Sequence, residues 1–226
     1  MAIRLALAVA FRYLGFVLMT ALAVWNEARP APSLPDAVLD LVPYDVTIAR
    51  LNYWIWVVAW MPATLWLMRR RPLAAAGLLY AGGWLSIIRG LCIVTTGLGP
   101  VKGFDPNAGL GASERFQGIL AVANPLSSLF GDSAFVYLTK DLFFSGHVAT
   151  TFLLTLWVWP LPRLRWWVLA GHLVVTASVF VSRLHYTIDV IGAYAITFSF
   201  FVLVAGDPRR RGVESLGPSW TDLKGS

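Results

Sequence analysis

The chain has 226 residues, 58% of them hydrophobic and only 13% charged, with a formal charge of +6 and a mean hydropathy of +0.67. A soluble domain is roughly half apolar and about a quarter charged, so this composition excludes an ordinary soluble enzyme and points to an all-α integral membrane protein. The single cysteine, Cys92, excludes an intrachain disulfide and reads as a small buried apolar residue.

Residues 3–25 form the first apolar stretch, interrupted by Arg12. Arg4 ahead of it and Ala21-Leu22-Ala23 near its end also fit a signal peptide. Arg12 breaks the apolar region and weighs for a retained span, in which it would snorkel or face the bundle interior. A first loop, residues 26–50, is rich in proline and acidic residues. Further apolar runs follow at 51–68, 72–88, 142–162 (with His147 inside), 166–182 and 190–206. About 17–25 apolar residues suffice to cross the hydrocarbon core as a helix, so a six-transmembrane-helix bundle is expected. In the long second loop, residues 98–140, Ser113-Glu114-Arg115-Phe116 can cap a short helix reaching Ala121, with Phe116, Ile119 and Leu120 on one face. That pattern suits an interfacial helix, and an ordinary loop fits it as well. There is no internal repeat or low-complexity segment, and residues 1–226 read as a single membrane domain ending in a short tail, 207–226.

Six spans place both termini on one side. Arg4, Arg69, Arg70, Arg71, Arg163, Arg165, Arg209, Arg210, Arg211 and Lys224 fall on that side, ten basic residues. The opposite loops carry six, Arg29, Arg50, Lys102, Arg115, Lys140 and Arg183, with nine of the twelve acidic residues. The positive-inside rule therefore makes both termini cytoplasmic. The +6 is accounted for by topology, and no nucleic-acid partner is expected.

On this topology His147 lies at the outer start of the fourth span, His185 at the outer end of the fifth, and Asp189 at the opening of the sixth. His185 and Asp189, four apart, share one side of a helix if that turn is helical. A carboxylate there can hold the imidazole in one tautomer and stabilise its cation. Ser145 and Gly146 precede His147 at a helix start, where free N–H groups and the helix dipole favour an anion such as phosphate. Two histidines and a carboxylate around an anion site suit phosphoryl transfer without a metal, one histidine attacking phosphorus and the other protonating the leaving alkoxide. The same three residues could hold zinc, although no His-x-x-x-His or cysteine cluster accompanies them. His172, in mid-span, reads as structural.

The run "SGH" followed by "HYTID" resembles the lipid phosphatase and phosphotransferase superfamily of the type-2 phosphatidic acid phosphatases, and within it the sphingomyelin synthase branch. Asp141 stands six residues before His147, as in that branch. His185-Tyr186-Thr187-Ile188-Asp189-Val190 matches its second motif in full, with Tyr194 following. Arg89-Gly90 and Thr95-Thr96 match its third span. The resemblance covers about residues 50–205. Ser182-Arg183 stand too close to the second histidine for the phosphatase pattern, and Arg71-Pro72 lies on the cytoplasmic side without its lysine. In the other direction, Thr139-Lys140 replaces the synthases' Cys-Gly, Ile88 replaces the first of two arginines, and the closing Tyr-His is absent; these leave the head group and acceptor open.

The resemblance implies transfer of a phospholipid head group, phosphocholine or phosphoethanolamine, to ceramide or a diacylglycerol-type acceptor, with no cofactor and no metal. It implies His185 as nucleophile oriented by Asp189, and His147 as acid and then base, supported by Asp141. Arg89, an intramembrane charge, would pair with the substrate phosphate or with a buried carboxylate. Ser145, Gly146 and Tyr186 are candidates for substrate binding, Tyr186 and Tyr194 reading as packing rather than reacting groups. A lipid phosphatase or phospholipase C-like hydrolase using water, and a non-catalytic scaffold, are the alternatives; a homo-oligomer is left open. The site is expected on the non-cytoplasmic face: periplasmic, lumenal or extracellular. In a Cys92-free background, Ser113→Cys should react with an impermeant thiol reagent on intact cells while Arg210→Cys stays protected. The reverse pattern would invert the topology.

Overall fold

A computed structural model describes residues 2–101, 105, 107, 109–124 and 138–205. The described residues form helices and no strand: α1 (Ala2–Glu27), α2 (Ala37–Leu41), α3 (Val46–Arg70), α4 (Pro72–Thr95), α5 (Ala112–Ala123), α6 (Gly146–Val158), α7 (Pro162–Val181) and α8 (Thr187–Ala205). The tail 207–226, with its expected cytoplasmic arginines, lies outside the described residues, as does much of the second loop.

Local chemistry sets the helix ends. Asp36 Oδ1 accepts from Val38 N (3.1 Å) and Leu39 N (3.2 Å) to start α2, and Asp45 Oδ1 accepts from Thr47 N (2.7 Å) and Ile48 N (3.0 Å) to start α3. Pro72 and Pro162 occupy first helical positions, where a missing N–H costs nothing. α7 closes with Leu184 N donating to Val179 O (3.2 Å) and Arg183 N to Phe180 O (3.0 Å). Arg183 is left-handed at φ 52, completing a Schellman turn without the usual glycine. Its side chain is anchored by a bond from Nη2 to Val42 O (2.9 Å).

α1, α4, α7 and α8 are long and apolar enough to cross a membrane. Their outward residues, including Leu7, Leu14, Leu91, Leu173, Ile191 and Leu203, are exposed, as expected where lipid is the solvent. α3 is 25 residues long, but four tryptophans and Asn52 dilute its hydropathy. α6 has only 13 residues, shorter than the apolar run 142–162 implied, because the chain stays non-helical until Ser145 caps it.

These six longer helices alternate in direction. At one end Arg29 of the α1 exit binds Val94 O (2.8 Å) near the end of α4, Asp45 N donates to Val181 O (3.2 Å), and Ser145 N donates to Asp189 O (3.1 Å). At the other, Arg71 alone joins α3 to α4, and Trp157 Nε1 donates to Ala74 O (3.0 Å). The first loop is shorter than the sequence implied, since Arg50 is already inside α3. The short helix expected near 113–121 is α5, but its first cap is Gly111, whose N–H is taken by Glu114 Oε2 (2.7 Å); Ser113 is already helical. Phe116 and Leu120 are 62% and 56% exposed, and Arg115 lies over the Trp25 ring at 4.4 Å, seating α5 on the end of α1.

α1 and α4 meet at two glycines. A Cβ on Gly15 would stand 2.6 Å from Gly83 O and 3.1 Å from Gly83 Cα, so small residues permit backbone contact, as in membrane helix pairs generally. Gly15→Ala is therefore expected to lower the melting temperature in detergent measurably. Gly111→Ala, whose Cβ would meet only the mobile end of Glu114 at 3.4 Å, should change it little.

Candidate active site

The end of the bundle where α6 and α8 begin and α7 finishes holds the candidate residues His147, His185 and Asp189. Asp189, in the first turn of α8, is 0% exposed. Its Oδ2 accepts from Tyr186 N (2.9 Å) and lies 3.3 Å from His185 Nδ1; its Oδ1 accepts from Phe143 N (3.0 Å). The pair is thus four apart as the sequence indicated, although His185 precedes the helix. An Nδ1–H directed at the carboxylate fixes the tautomer and leaves Nε2 with the lone pair.

His147 lies at the start of α6, its ring centroid 6.4 Å from that of His185 and 5.6 Å, edge on, from Trp56. Among the described residues its ring makes no hydrogen bond. Ser145 Oγ accepts from Val148 N (3.5 Å), but Ser145 N is already donated to Asp189 O. The helix start therefore offers an anion the N–H groups of Gly146 and His147 and not that of Ser145. Gly146 has no room for a side chain: a Cβ would be 3.0 Å from Arg89 Nε and 3.1 Å from its Cζ.

Arg89 is buried and largely committed. Nε donates to Phe144 O (2.7 Å), Nη2 to Asp141 O (2.6 Å) and Asp141 Oδ2 (2.9 Å), and Nη1 to Met19 Sδ (3.0 Å). Of its two expected partners, the structure provides the carboxylate. Asp141 lines the same cavity as His147, with its carboxylate on Arg89. Tyr186 is 1% exposed, in keeping with the packing part read for it. Its hydroxyl accepts from Leu34 N (3.0 Å) and faces Gly99 O (3.1 Å) and Pro100 O (3.0 Å), so the ring pins outer segments over His185, which is 2% exposed.

Two carboxylates that sequence reasoning left in loops belong to this frame. Glu27, ending α1, accepts from Lys140 N (2.7 Å), Thr139 N (2.9 Å), Thr139 Oγ1 (2.9 Å) and Asn107 Nδ2 (2.7 Å). Lys140, buried, donates to Glu27 O (2.6 Å) and pairs with Asp105. The clamp fixes the residues just before Asp141. Asp36 takes Thr187 N (2.6 Å) and Thr187 Oγ1 (2.8 Å) while capping α2. An acidic residue ending an apolar span was the only sequence signal for Glu27, and Asp36 gave none. Deeper, His172 joins Thr151 (2.8 Å) on α6 to Tyr194 (2.9 Å) on α8, the structural part expected of it. Among the described residues no three His, Cys, Asp or Glu side chains are grouped to hold a metal.

A cavity of about 280 Å³ ends at His147, Gly146, Arg89 and Asp141 and runs inward between α1, α3, α4 and α6. His185 lies beyond this end. Residues 140–205 match the PAP2 superfamily C-terminal family. The match begins at Lys140 and takes in Asp141, His147, His185 and Asp189. The chain is also 30% identical over 210 residues, 84% of its length, to human phosphatidylcholine:ceramide cholinephosphotransferase 2, of which it spans 56%. The resemblance read from the two histidine motifs thus stands. Residues 140–205 are thus similar to PAP2 superfamily proteins, and the chain is similar over most of its length to one cholinephosphotransferase.

Burial raises the Asp36 carboxyl, but hydrogen bonds from Thr187 N–H, Leu39 N–H, the Thr187 hydroxyl and Val38 N–H outweigh it and hold the group below its usual range. A depressed carboxyl contributes stability that is full above its unfolded pKa and is lost as pH falls through the folded one. Asp36→Ala should therefore lower stability at neutral pH by about 1 kcal/mol, the usual scale for a lost cap. Melting curves should show that difference shrinking toward the acid end; a difference equal at all pH values would show that the charge is not its source.

Proposed function

We propose that the chain is a six-span enzyme with both termini cytoplasmic and its site on the opposite face, moving a phospholipid head group to ceramide or a related lipid alcohol. The observation that carries this reading is the His147–His185 pair, 6.4 Å between ring centres, with Asp189 on His185 Nδ1. Reacting atoms about 3–3.5 Å apart are near attack, so phosphorus fits between the rings. His185 Nε2 attacks it and the diacylglycerol oxygen departs, taking the proton of His147. The bond formed is N–P and the bond broken is P–O. His147 then removes the acceptor hydroxyl's proton, the acceptor oxygen attacks phosphorus, and His185 leaves.

The surroundings suit these steps. The free N–H groups of Gly146 and His147 face developing charge at a helix start. Arg89 positions the 141–144 segment through its main-chain and carboxylate contacts. Asp189 stabilises the imidazolium character that His185 gains. The cholinephosphotransferase relative supports choline phospholipid as donor and ceramide as acceptor. The outer residues pinned by Tyr186 and Asp36 cover the covalent intermediate and keep water from it.

His185→Ala should abolish formation of a phospho-enzyme, and His147→Ala should cut turnover by about 10²–10⁴-fold, the scale of acid–base assistance. Asp189→Asn should cost less than His185→Ala, because the ring remains. Purified protein given labelled phosphatidylcholine or phosphatidylethanolamine should produce a head-group-bearing sphingolipid when ceramide is present, and little soluble product without it. Equal release of soluble head group with and without every lipid acceptor would establish the hydrolase instead. An acid-labile adduct persisting in His185→Ala would place the nucleophile elsewhere.

A further inference from the structure

The cavity below His147 is walled mostly by apolar side chains such as Phe16, Leu79, Leu85 and Leu153, yet three polar groups on it have no part in the chemistry above. Thr20 is 1% exposed, and its hydroxyl has no hydrogen-bond partner among the described residues. The Nε1–H of Trp56 is buried without a partner too, its ring against His147. Arg12, midway along α1, holds Ser86 Oγ at 2.9 Å, and among the described residues no carboxylate pairs with it. Buried polar groups are ordinarily satisfied, and a charge within a membrane-length helix is retained for a purpose.

The chemistry of these groups defines what they await. An indole N–H and a guanidinium only donate, so the complementary group is an acceptor. Arg12, Phe16, Met19 and Thr20 occupy one face of α1, and the rise from Arg12 to Thr20 is about 12 Å. Ser86, which fixes Arg12, lies one turn inward of Arg89 on α4, and Arg89 is packed against Gly146 at the start of the histidine helix. The donors therefore extend from the level of His147 toward the membrane interior. A phosphate held between the histidines would have its lipid's acyl linkages in this region, a few bonds inward. At about 280 Å³ the cavity is at the small end of ligand pockets, roughly 300–1,000 Å³. That is room for a glycerol or sphingoid linkage and the first chain carbons, and too little for two whole chains.

We propose that this cavity reads the ester or amide linkages of the lipid substrate, with Trp56 Nε1–H and the Arg12 guanidinium donating to acyl carbonyls and the Thr20 hydroxyl completing the polar wall. This rests on the lipid-substrate reading and adds which atoms of the lipid are recognised. Arg12 and Trp56 are specificity-determining residues, and the phosphate remains with the histidines.

The test compares diacyl phospholipid with its dialkyl ether analogue, which has the same head group and chains and lacks both carbonyls. Wild-type protein should favour the diacyl donor about tenfold in kcat/KM, mostly through KM, the scale of one or two hydrogen bonds. Trp56→Phe and Arg12→Gln should each bring that ratio toward one. Gly82→Ala provides a second route to the arginine, because its Cβ would stand 3.1 Å from Arg12 Nε and 3.2 Å from Cδ, displacing the side chain without removing it. A readout independent of turnover is the melting temperature of His185→Ala in detergent. Diacyl lipid should raise it more than ether lipid, and adding Trp56→Phe should abolish the difference. Should the protein turn over no phospholipid, the functional reading fails while the thermal shift still decides this one. A wild-type ratio of one together with equal thermal shifts, or a ratio unchanged in Trp56→Phe and in both arginine-directed variants, would overturn it.

Discussion

A single buried carboxylate fixes the end of the bundle where the two histidines meet. Asp189 is fully buried, where an unpaired charge would be prohibitive. It is satisfied by the backbone N–H groups of Tyr186 and Phe143 and by His185 Nδ1. It also stands in the first turn of α8, where the helix dipole favours negative charge. The partners come from two stretches: the turn between α7 and α8, which holds both His185 and Tyr186, and the segment before α6. Its own carbonyl receives Ser145 N, which ties in the start of α6. Two histidines, one at the start of α6 and one in the turn before α8, can face each other reproducibly because one side chain and its peptide bind both approaches. His172 repeats the arrangement deeper in the bundle by joining α6 to α8 through Thr151 and Tyr194.

Much of this was legible in the sequence because apolar run length and helix-end motifs are local signals. All six runs correspond to helices, and His147, His185 and Asp189 come together at the ends of three of them. The errors have a common cause, main-chain groups that a sequence does not display. What packs on Tyr186 was not legible, because the carbonyls of Gly99 and Pro100 and the Leu34 N–H, which occupy its hydroxyl, carry no side-chain signature. Ser145 looked like an anion donor because nothing in the text of the chain shows its N–H bound to Asp189 O. Which way a helix is rotated is equally hidden. Arg12 could be placed in a span but not on the cavity, and Trp56 and Thr20 were indistinguishable from other span residues.

The charged residues of the outer segments illustrate a related point. Arg29, Lys140 and Arg183 entered the topology argument as loop charges, yet each spends hydrogen bonds on main-chain carbonyls at helix ends. Helix C-termini leave carbonyls unpaired, and cations are well suited to them. In this membrane protein such residues stitch the connections to the bundle, so their value is architectural. They are poor candidates for contacting lipid head groups despite lying on the same face as the histidines.

The brevity of α6 has a consequence for how a substrate is met. Thirteen residues rise only about 20 Å as a helix, against a hydrocarbon core of about 30 Å. A helix that short leaves its histidine end sunk within a leaflet, or draws the bilayer down to it. For the lipid substrate proposed above, the phosphoester and the imidazole would then occupy similar depths before any encounter. Such a lipid would have no need to be lifted into water; it would arrive by sliding sideways in its own plane, and the search for the site would be two-dimensional.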